Sequence, residues 1–338
     1  MTRFPSPGPV RLATVLSLLL GLVSATRAAD TFTFAALGCM PYSRYPDSGP
    51  SFERVIAEIN RHAPVFAVHL GDTIGSDERM TDEVLRRRRD DFNRLTTALI
   101  YTPGDNEWTD ASRPNTGGFD PIERLTFIRQ LYFATERSLG RNPLPLITQR
   151  REPAHAKFVE NARWNHHGVL FATVHVVGSQ NNHQANVPGA IEEWRERDAA
   201  NAAWVRATFA EARTTAAKGV AFFFQADPFA ADRGRPGYDP GFEPFLKTLE
   251  TEARAFAKPV LLVHADEHRY RLDAGLQFQA GAEPLSNVTR LETFGAQNFH
   301  AVIVAVDPAS IPVFVAGPLL VPGNRLPELP RHKAPAKK

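Results

Sequence analysis

The sequence contains a single cysteine, Cys39, among 338 residues. No intramolecular disulfide can form, so the fold must be held by burial. Disorder is excluded too, because 43% of the residues are hydrophobic and only 22% are charged. A concentrated basic face is also missing. The 39 Lys and Arg nearly match the 37 Asp and Glu. Three of the cations lie in residues 1–29 and four in 331–338, stretches with no acid, so residues 30–330 carry 32 basic against 37 acidic residues, net −5. A mildly acidic body lacks the charge that neutralises phosphate backbones, which argues against nucleic acid as a partner. Beyond residue 29 no run approaches the ~20 apolar residues that cross a bilayer. No internal repeat is present.

What is there begins with a leader. Arg3 and Arg11 precede the apolar stretch Leu12–Val23, and small residues follow from Ser24 to Ala29. This is the layout of a secretory signal peptide, with cleavage after Ala25, Ala28 or Ala29. The expectation is an exported protein, periplasmic or secreted, with no membrane attachment once residues 1–29 are removed. A domain over 30–322 and a disordered basic tail over 323–338 complete the organisation.

Short apolar runs alternate with helix-period stretches. Thr31–Leu37, Val65–Leu70, Ala98–Thr102, Gly219–Phe224 and Pro259–Val263 read as strands. Residues 51–62, 82–96, 190–214 and 242–256 read as the helices between them. A strand pair surrounds His166-His167-Gly168, and Ala301–Val306 and Ile311–Val315 bracket an Asp307-Pro308 turn. Residues 135–160 and 229–240 read as loops. Continuous apolar strands separated by helices indicate a largely parallel sheet covered on both faces.

Polar residues gather where these strands end. The first strand runs into Cys39-Met40-Pro41-Tyr42, the second into Gly71-Asp72 and the third into Gly104-Asp105-Asn106-Glu107. Later strands run into Gln225-Ala226-Asp227 and His264-Ala265-Asp266-Glu267-His268. In a parallel sheet these points share the carboxyl edge, where α/β proteins place ligands. One carboxylate there ordinarily caps a loop, but recurrence at several ends points to a common site. Asp72, Asp105, Asp227 and Asp266, beside His264 and His268, would repel one another unless a cation compensates them, and a metal ion is the simplest cation.

Arranged this way, the chain resembles the calcineurin-like metallophosphoesterase superfamily, as a divergent, bacterial-type member. Gly71-Asp72 matches the family's Gly-Asp block. Gly104-Asp105-Asn106-Glu107 stands where the family has Gly-Asn-His-Glu, so Asp105 replaces a ligating Asn and Asn106 the catalytic His. Ala265-Asp266-Glu267-His268 stands for Gly-His-x-His, so His268 matches and Asp266 replaces a His. Gln225 or Asp227 takes the place of a further ligating His, and Cys39 and Pro41 replace the Asp and His of the first block. The resemblance implies an α/β fold, a β-sandwich flanked by helices in αββα layers. It also implies one or two divalent metal ions held by Asp72, Asp105, Asp266 and His268, with His264, Asp227 and Cys39 as further ligand candidates. Carboxylates suit Mn²⁺, Mg²⁺ or Ca²⁺, whereas a thiolate suits Zn²⁺ or iron, so the ion stays open among these. The implied activity is hydrolysis of a small phosphorylated substrate by a metal-bound hydroxide. Asn106 occupies the catalytic position; it cannot release a proton as an acid but can orient a phosphoryl oxygen. The alternative is a catalytically weakened or inactive phosphoesterase-fold protein that serves as a binding module.

Overall fold

The computed structural model describes residues 30–229, 240–278 and 282–327. The expected leader, the expected tail beyond residue 327 and residues 230–239 of the expected 229–240 loop lie outside the described residues.

The first half is built on β1 (Phe32–Leu37), β2 (Phe66–His69) and β3 (Ala98–Tyr101), which pair in parallel. Between them lie α1 (Ser48–His62) and α2 (Asp82–Phe92), and α3 (Pro121–Tyr132) follows. Two short strands, β4 (Leu139–Gly140) and β5 (Ile147–Thr148), lead to the hairpin of β6 (Ala162–His166) and β7 (Val169–Thr173). The single turn α4 (Gly178–Asn181) is left-handed at Ser179 and Gln180. After it come α5 (Ala190–Thr214), β8 (Gly219–Phe223), α6 (Glu243–Phe256) and β9 (Val260–His264). Strands β10 (Arg271–Leu276), β11 (Leu285–Glu292), β12 (Ala301–Val306) and β13 (Phe314–Leu319) close the chain.

Local chemistry sets the helix ends. Asp120 caps α3 by accepting from the backbone N–H of Ile122 at 2.7 Å, with Pro121 preset for the first turn. Thr81 caps α2, and Asp82 and Glu83 face its N-terminal dipole. α1 stops where Ala63 turns left-handed before Pro64.

The strands form two sheets, ordered β13-β12-β1-β2-β3-β4 and β10-β11-β9-β8-β7-β6-β5. Alternate side chains divide each strand between two cores. Phe34, Phe66, Ile100, Phe171, Phe223, Val263 and Val302 pack between the sheets. On the outer face of the first sheet, Ala35, Ala67 and Leu99 meet Val55 and Ile59 of α1, Leu85 of α2 and Ile128 of α3. On the outer face of the second, Leu170, Phe222 and Leu262 meet Phe209 of α5 and Leu249 of α6. The layering is therefore α/β/β/α, the sandwich that the resemblance implies. The single parallel sheet read from the apolar runs is corrected, because a strand covered by a second sheet is as apolar as one covered by helices.

Other boundaries also shift. The last strand begins at Phe314, not Ile311, which is 96% exposed in the preceding turn. Helix α2 ends at Phe92 rather than 96, and α1 begins three residues earlier than expected. Of the consecutive arginines Arg86–Arg89, one turns inward. Arg88 is buried and donates to the Thr73 carbonyl at 2.8 Å.

The inter-sheet core centres on aromatic rings: Phe223 packs against Phe34, Trp164 and Phe171 with centroids 5.6, 5.8 and 6.3 Å away. Phe223→Ala is expected to destabilise the fold by about 3–5 kcal/mol, read as a lowered midpoint in chemical denaturation. A midpoint unchanged from wild type would contradict the packing described.

Candidate metal centre

Each polar group of the site hangs from the carboxyl end of a parallel strand. Cys39 follows β1, Asp72 follows β2, Asp105 and Asn106 follow β3, Gln225 follows β8, and Asp266 and His268 follow β9. Strands of both sheets end at this rim, so residues more than 200 positions apart in sequence become neighbours.

At its centre the oxygens of Asp72, Asp105 and Asp266 converge, one from each carboxylate, all within 4.8 Å of one another. Among the described residues no Lys or Arg pairs with any of the three. Burial, then the Asp105 charge, pushes the carboxyls of Asp72 and Asp266 well above the usual range. Asp110 is raised to about 7 by burial and by Asp105. Ser179 links these last two, donating to Asp105 Oδ2 at 2.8 Å or Asp110 Oδ1 at 2.7 Å, while Arg113 pairs with the far oxygen of Asp110 at 2.5 Å.

Gln225 sits between the carboxylates. Its Oε1 accepts from the Gly178 N–H at 2.6 Å, which fixes the amide orientation and leaves Nε2 facing Asp72 Oδ2 and Asp266 Oδ1, each at 3.0 Å. In this pose Gln225 donates to the ligand set and does not extend it.

On the other side of Asp72 lies a mixed group of donors. Cys39 Sγ is 3.4 Å from Asp72 Oδ2 and accepts from the Asp266 N–H at 3.3 Å. Burial and the flanking carboxylates push the Cys39 thiol well up, which removes the thiolate that a nucleophile needs. Tyr42 reaches in beside it, with its hydroxyl 3.3 Å from each of Asp72 Oδ2, His268 Nε2 and Asn106 Nδ2. His268 is held neutral, lowered to about 4 by burial and by Arg44. Gly295 makes room for it, since a Cβ there would lie 2.6 Å from the His268 ring. Asn106 is anchored by Nδ2 donating to the Ile74 carbonyl at 2.9 Å.

Glu107 builds the frame. It accepts from the backbone N–H groups of Asp72 (3.1 Å), Thr73 (2.7 Å) and Gly104 (3.1 Å) and from the Tyr101 hydroxyl (3.1 Å). The loops after β2 and β3 are thereby tied together. Gly104 packs so close that a Cβ would lie 2.1 Å from Asp72 Oδ1.

The structure thus places Asp72, Asp105, Asp266, Cys39, His268 and Asn106, all sequence candidates, beside one another. It does not bring Asp227 and His264 into the same group. The Asp227 N–H donates to Asp266 Oδ2 at 3.2 Å, but its side chain turns the other way, 3.3 Å from Arg290 and 3.9 Å from His264. Tyr42, Ser179, Asp110 and Glu292 carry polar contacts that the sequence reading did not single out. Tyr42 alone had a local signal, a polar aromatic next to Pro41 in the loop where the first block's His is missing.

The residues present fit a divalent ion. Among the described residues, these three carboxylates, two of them buried, have no cationic side chain to offset them, and Asp105 Oδ1 is buried without a hydrogen-bond partner. Asp72, Asp105 and Asp266 form an oxygen set suited to Mn²⁺, Mg²⁺ or Ca²⁺. Cys39, Asp72 and His268 form a softer group suited to Zn²⁺ or iron.

No protein-family model matches the sequence, and no curated protein matches it. Solved structures do match in shape. A dimetal phosphatase from Danio rerio superposes with a TM-score of 0.52 and 11% identity, over 86% of this chain and 99% of that one. PhoD superposes with a TM-score of 0.56 and 12% identity, over 87% of this chain and 68% of that one.

Two outcomes follow from this geometry. Glu107→Ala strands three backbone N–H groups and a hydroxyl, each costing about 1–3 kcal/mol, so urea denaturation should show a loss of at least about 3 kcal/mol; a loss below 1 kcal/mol would contradict the frame. The second concerns pH. Above pH 7.5 an unfolded imidazole (usual value about 6.5) is mostly neutral, while Glu292, raised to about 8, and the raised carboxyls of Asp72 and Asp266 keep protons that the unfolded chain has lost. The folded state then binds more protons, so stability falls as pH rises, by about 1.4 kcal/mol per pH unit for each carboxyl still protonated. In protein stripped of divalent ions, the denaturation midpoint should drop from pH 7.5 to 9, and excess Mn²⁺ should flatten the decline. A pH-independent midpoint without ions would refute the raised carboxyls.

Proposed function

Because this chain has the calcineurin-like metallophosphoesterase fold, we propose that it is an exported, divalent-metal-dependent phosphoesterase acting on a small phosphorylated substrate. One observation carries the reading: the carboxylates of Asp72 and Asp105, both buried, and of half-buried Asp266 converge with no cationic side chain among them in the described residues. These three would hold one ion, and Cys39 and His268, sharing Asp72, would hold a second, with Tyr42 beside them. An ion so bound polarises a phosphoryl oxygen and acidifies a water.

The chain's own residues supply the rest. Asp72 lies between the two donor groups and accepts from Gln225, Cys39 and Tyr42, so its carboxylate is fixed before substrate arrives. Asn106, pinned by the Ile74 carbonyl, orients a phosphoryl oxygen but donates no proton to a leaving alkoxide. Arg44, stacked 5.3 Å over the Tyr42 ring, and Arg113 are part-exposed beside the centre and attract an anionic phosphate. With no acid at position 106, the enzyme should favour esters whose leaving group needs no protonation. The leader motivates the placement outside the cytoplasm.

The test is hydrolysis of p-nitrophenyl phosphate and an alkyl phosphate by purified protein with Mn²⁺, Zn²⁺ or Fe²⁺. Asp72→Asn should lower the rate by at least about 100-fold, the size of loss typical when a catalytic electrostatic group is removed. Asn106→His should raise the alkyl rate more than the aryl rate. If wild type and Asp72→Asn are equally inactive with every ion, the enzymatic reading falls and ligand binding on the same fold replaces it.

A further inference from the structure

A second group of ligand atoms lies behind the centre, on the helix-covered face of the second sheet. Glu292 ends β11 and His264 ends β9; the two are paired in register on adjacent parallel strands, so their side chains leave the same face. Asp227, from the loop after β8, completes the group, with one ligand atom from each residue lying within 4.8 Å of the others. All three are buried.

The hydrogen bonds specify what the group lacks. His264 Nδ1 lies 3.0 Å from the Ala265 carbonyl, which has no proton to give, so Nδ1 carries the N–H and Nε2 carries the lone pair. Among the described residues, that lone pair, Asp227 Oδ2 and both Glu292 oxygens have no close hydrogen-bond partner, although the Arg269 backbone N–H also favours the Glu292 carboxylate. Two arginines stand at the edge. Arg290 is bonded to Asp273 at 2.5 Å and pairs with Asp227 Oδ1 at 3.3 Å. Arg271 stays 3.9 Å from Asp227 Oδ2 and 3.6 Å from Glu292 Oε2. They lower the net charge; Arg290 and the Phe229 N–H (2.8 Å) both donate to Asp227 Oδ1, the oxygen 3.9 Å from His264 Nε2, and neither reaches His264 Nε2 or the Glu292 oxygens. A ring nitrogen whose other nitrogen is fixed by a carbonyl is the ordinary arrangement of a metal-binding histidine.

We propose that Asp227, His264 and Glu292 form a second divalent-cation site, separate from the Asp72 centre. One imidazole with two carboxylates is a donor set for Zn²⁺. The site abuts the first, because the Asp227 N–H donates to Asp266 Oδ2. It goes beyond the phosphoesterase reading and does not depend on it.

The experiment strips the full chain of metal, reloads it with Zn²⁺ alone and counts zinc per chain by mass spectrometry. The Asp72→Asn, Asp266→Asn double variant should retain one zinc. Adding His264→Gln or the near-isosteric Glu292→Gln should remove it. Zinc-edge anomalous scattering from wild-type crystals gives a readout that needs no variant to fold, and a peak between His264 Nε2 and the Glu292 carboxylate is expected. No peak there overturns the proposal and leaves the two arginines as the only compensation. Zinc content in the double variant that is unchanged by His264→Gln or Glu292→Gln overturns it as well.

Discussion

Everything at the rim depends on one electrostatic constraint: Asp72, Asp105 and Asp266 are held together inside the protein. Two unit charges about 4 Å apart cost about 4 kcal/mol at an effective dielectric near 20, and three carboxylates at that range cannot all stay ionised without compensation. Protons on Asp72 and Asp266 are one answer and a cation is the other. The surrounding donors, from Gln225, Ser179, Tyr42, Cys39 and the Asn106 backbone, orient these carboxylates without neutralising them.

The sandwich makes that grouping possible. Parallel strands of two facing sheets end at the same edge, and each candidate ligand follows its strand within five positions, so the side chains inherit the rigidity of the sheets. Glu107 then ties the β2 and β3 loops by their backbone N–H groups, and Gly295 lets the His268 ring approach Cys39. Replacing Asp and His in the first motif block has not emptied that corner. Cys39 and Tyr42 fill it, and Tyr42 contacts Asp72, His268 and Asn106 together.

Asp227 and His264 show how far a strand end can mislead. Asp227 lies two residues from Gln225 and His264 two from Asp266, so linear proximity puts them in one group. Yet His264 is the last residue of β9, still in the alternation of the sheet, and its side chain leaves by the helix-covered face. Asp266, two residues on, has left the strand at a φ of 82° and turns to the rim. The boundary between pleated strand and loop therefore separates two clusters of ligand atoms that look continuous in the chain.

The order of strands and helices was legible from periodicity, most clearly for α5, whose bounds match the 190–214 stretch. Helix α3 passed unnoticed although Asp120-Pro121 marks its start, and β10 and β11 did because their alternating polar residues lack a continuous apolar run. Motif order alone singled out Asp72, Asp105, Asp266 and His268 as candidates, because oxygen and nitrogen donors at strand ends are visible in local sequence, and the fold brings their side chains to one rim. Tertiary structure decided which of those donors share a centre, that Gln225 donates rather than ligates, and that Glu292 joins His264. Each of these depends on which face a side chain leaves and which strand lies beside it, and both are fixed by pairing between residues far apart in the chain.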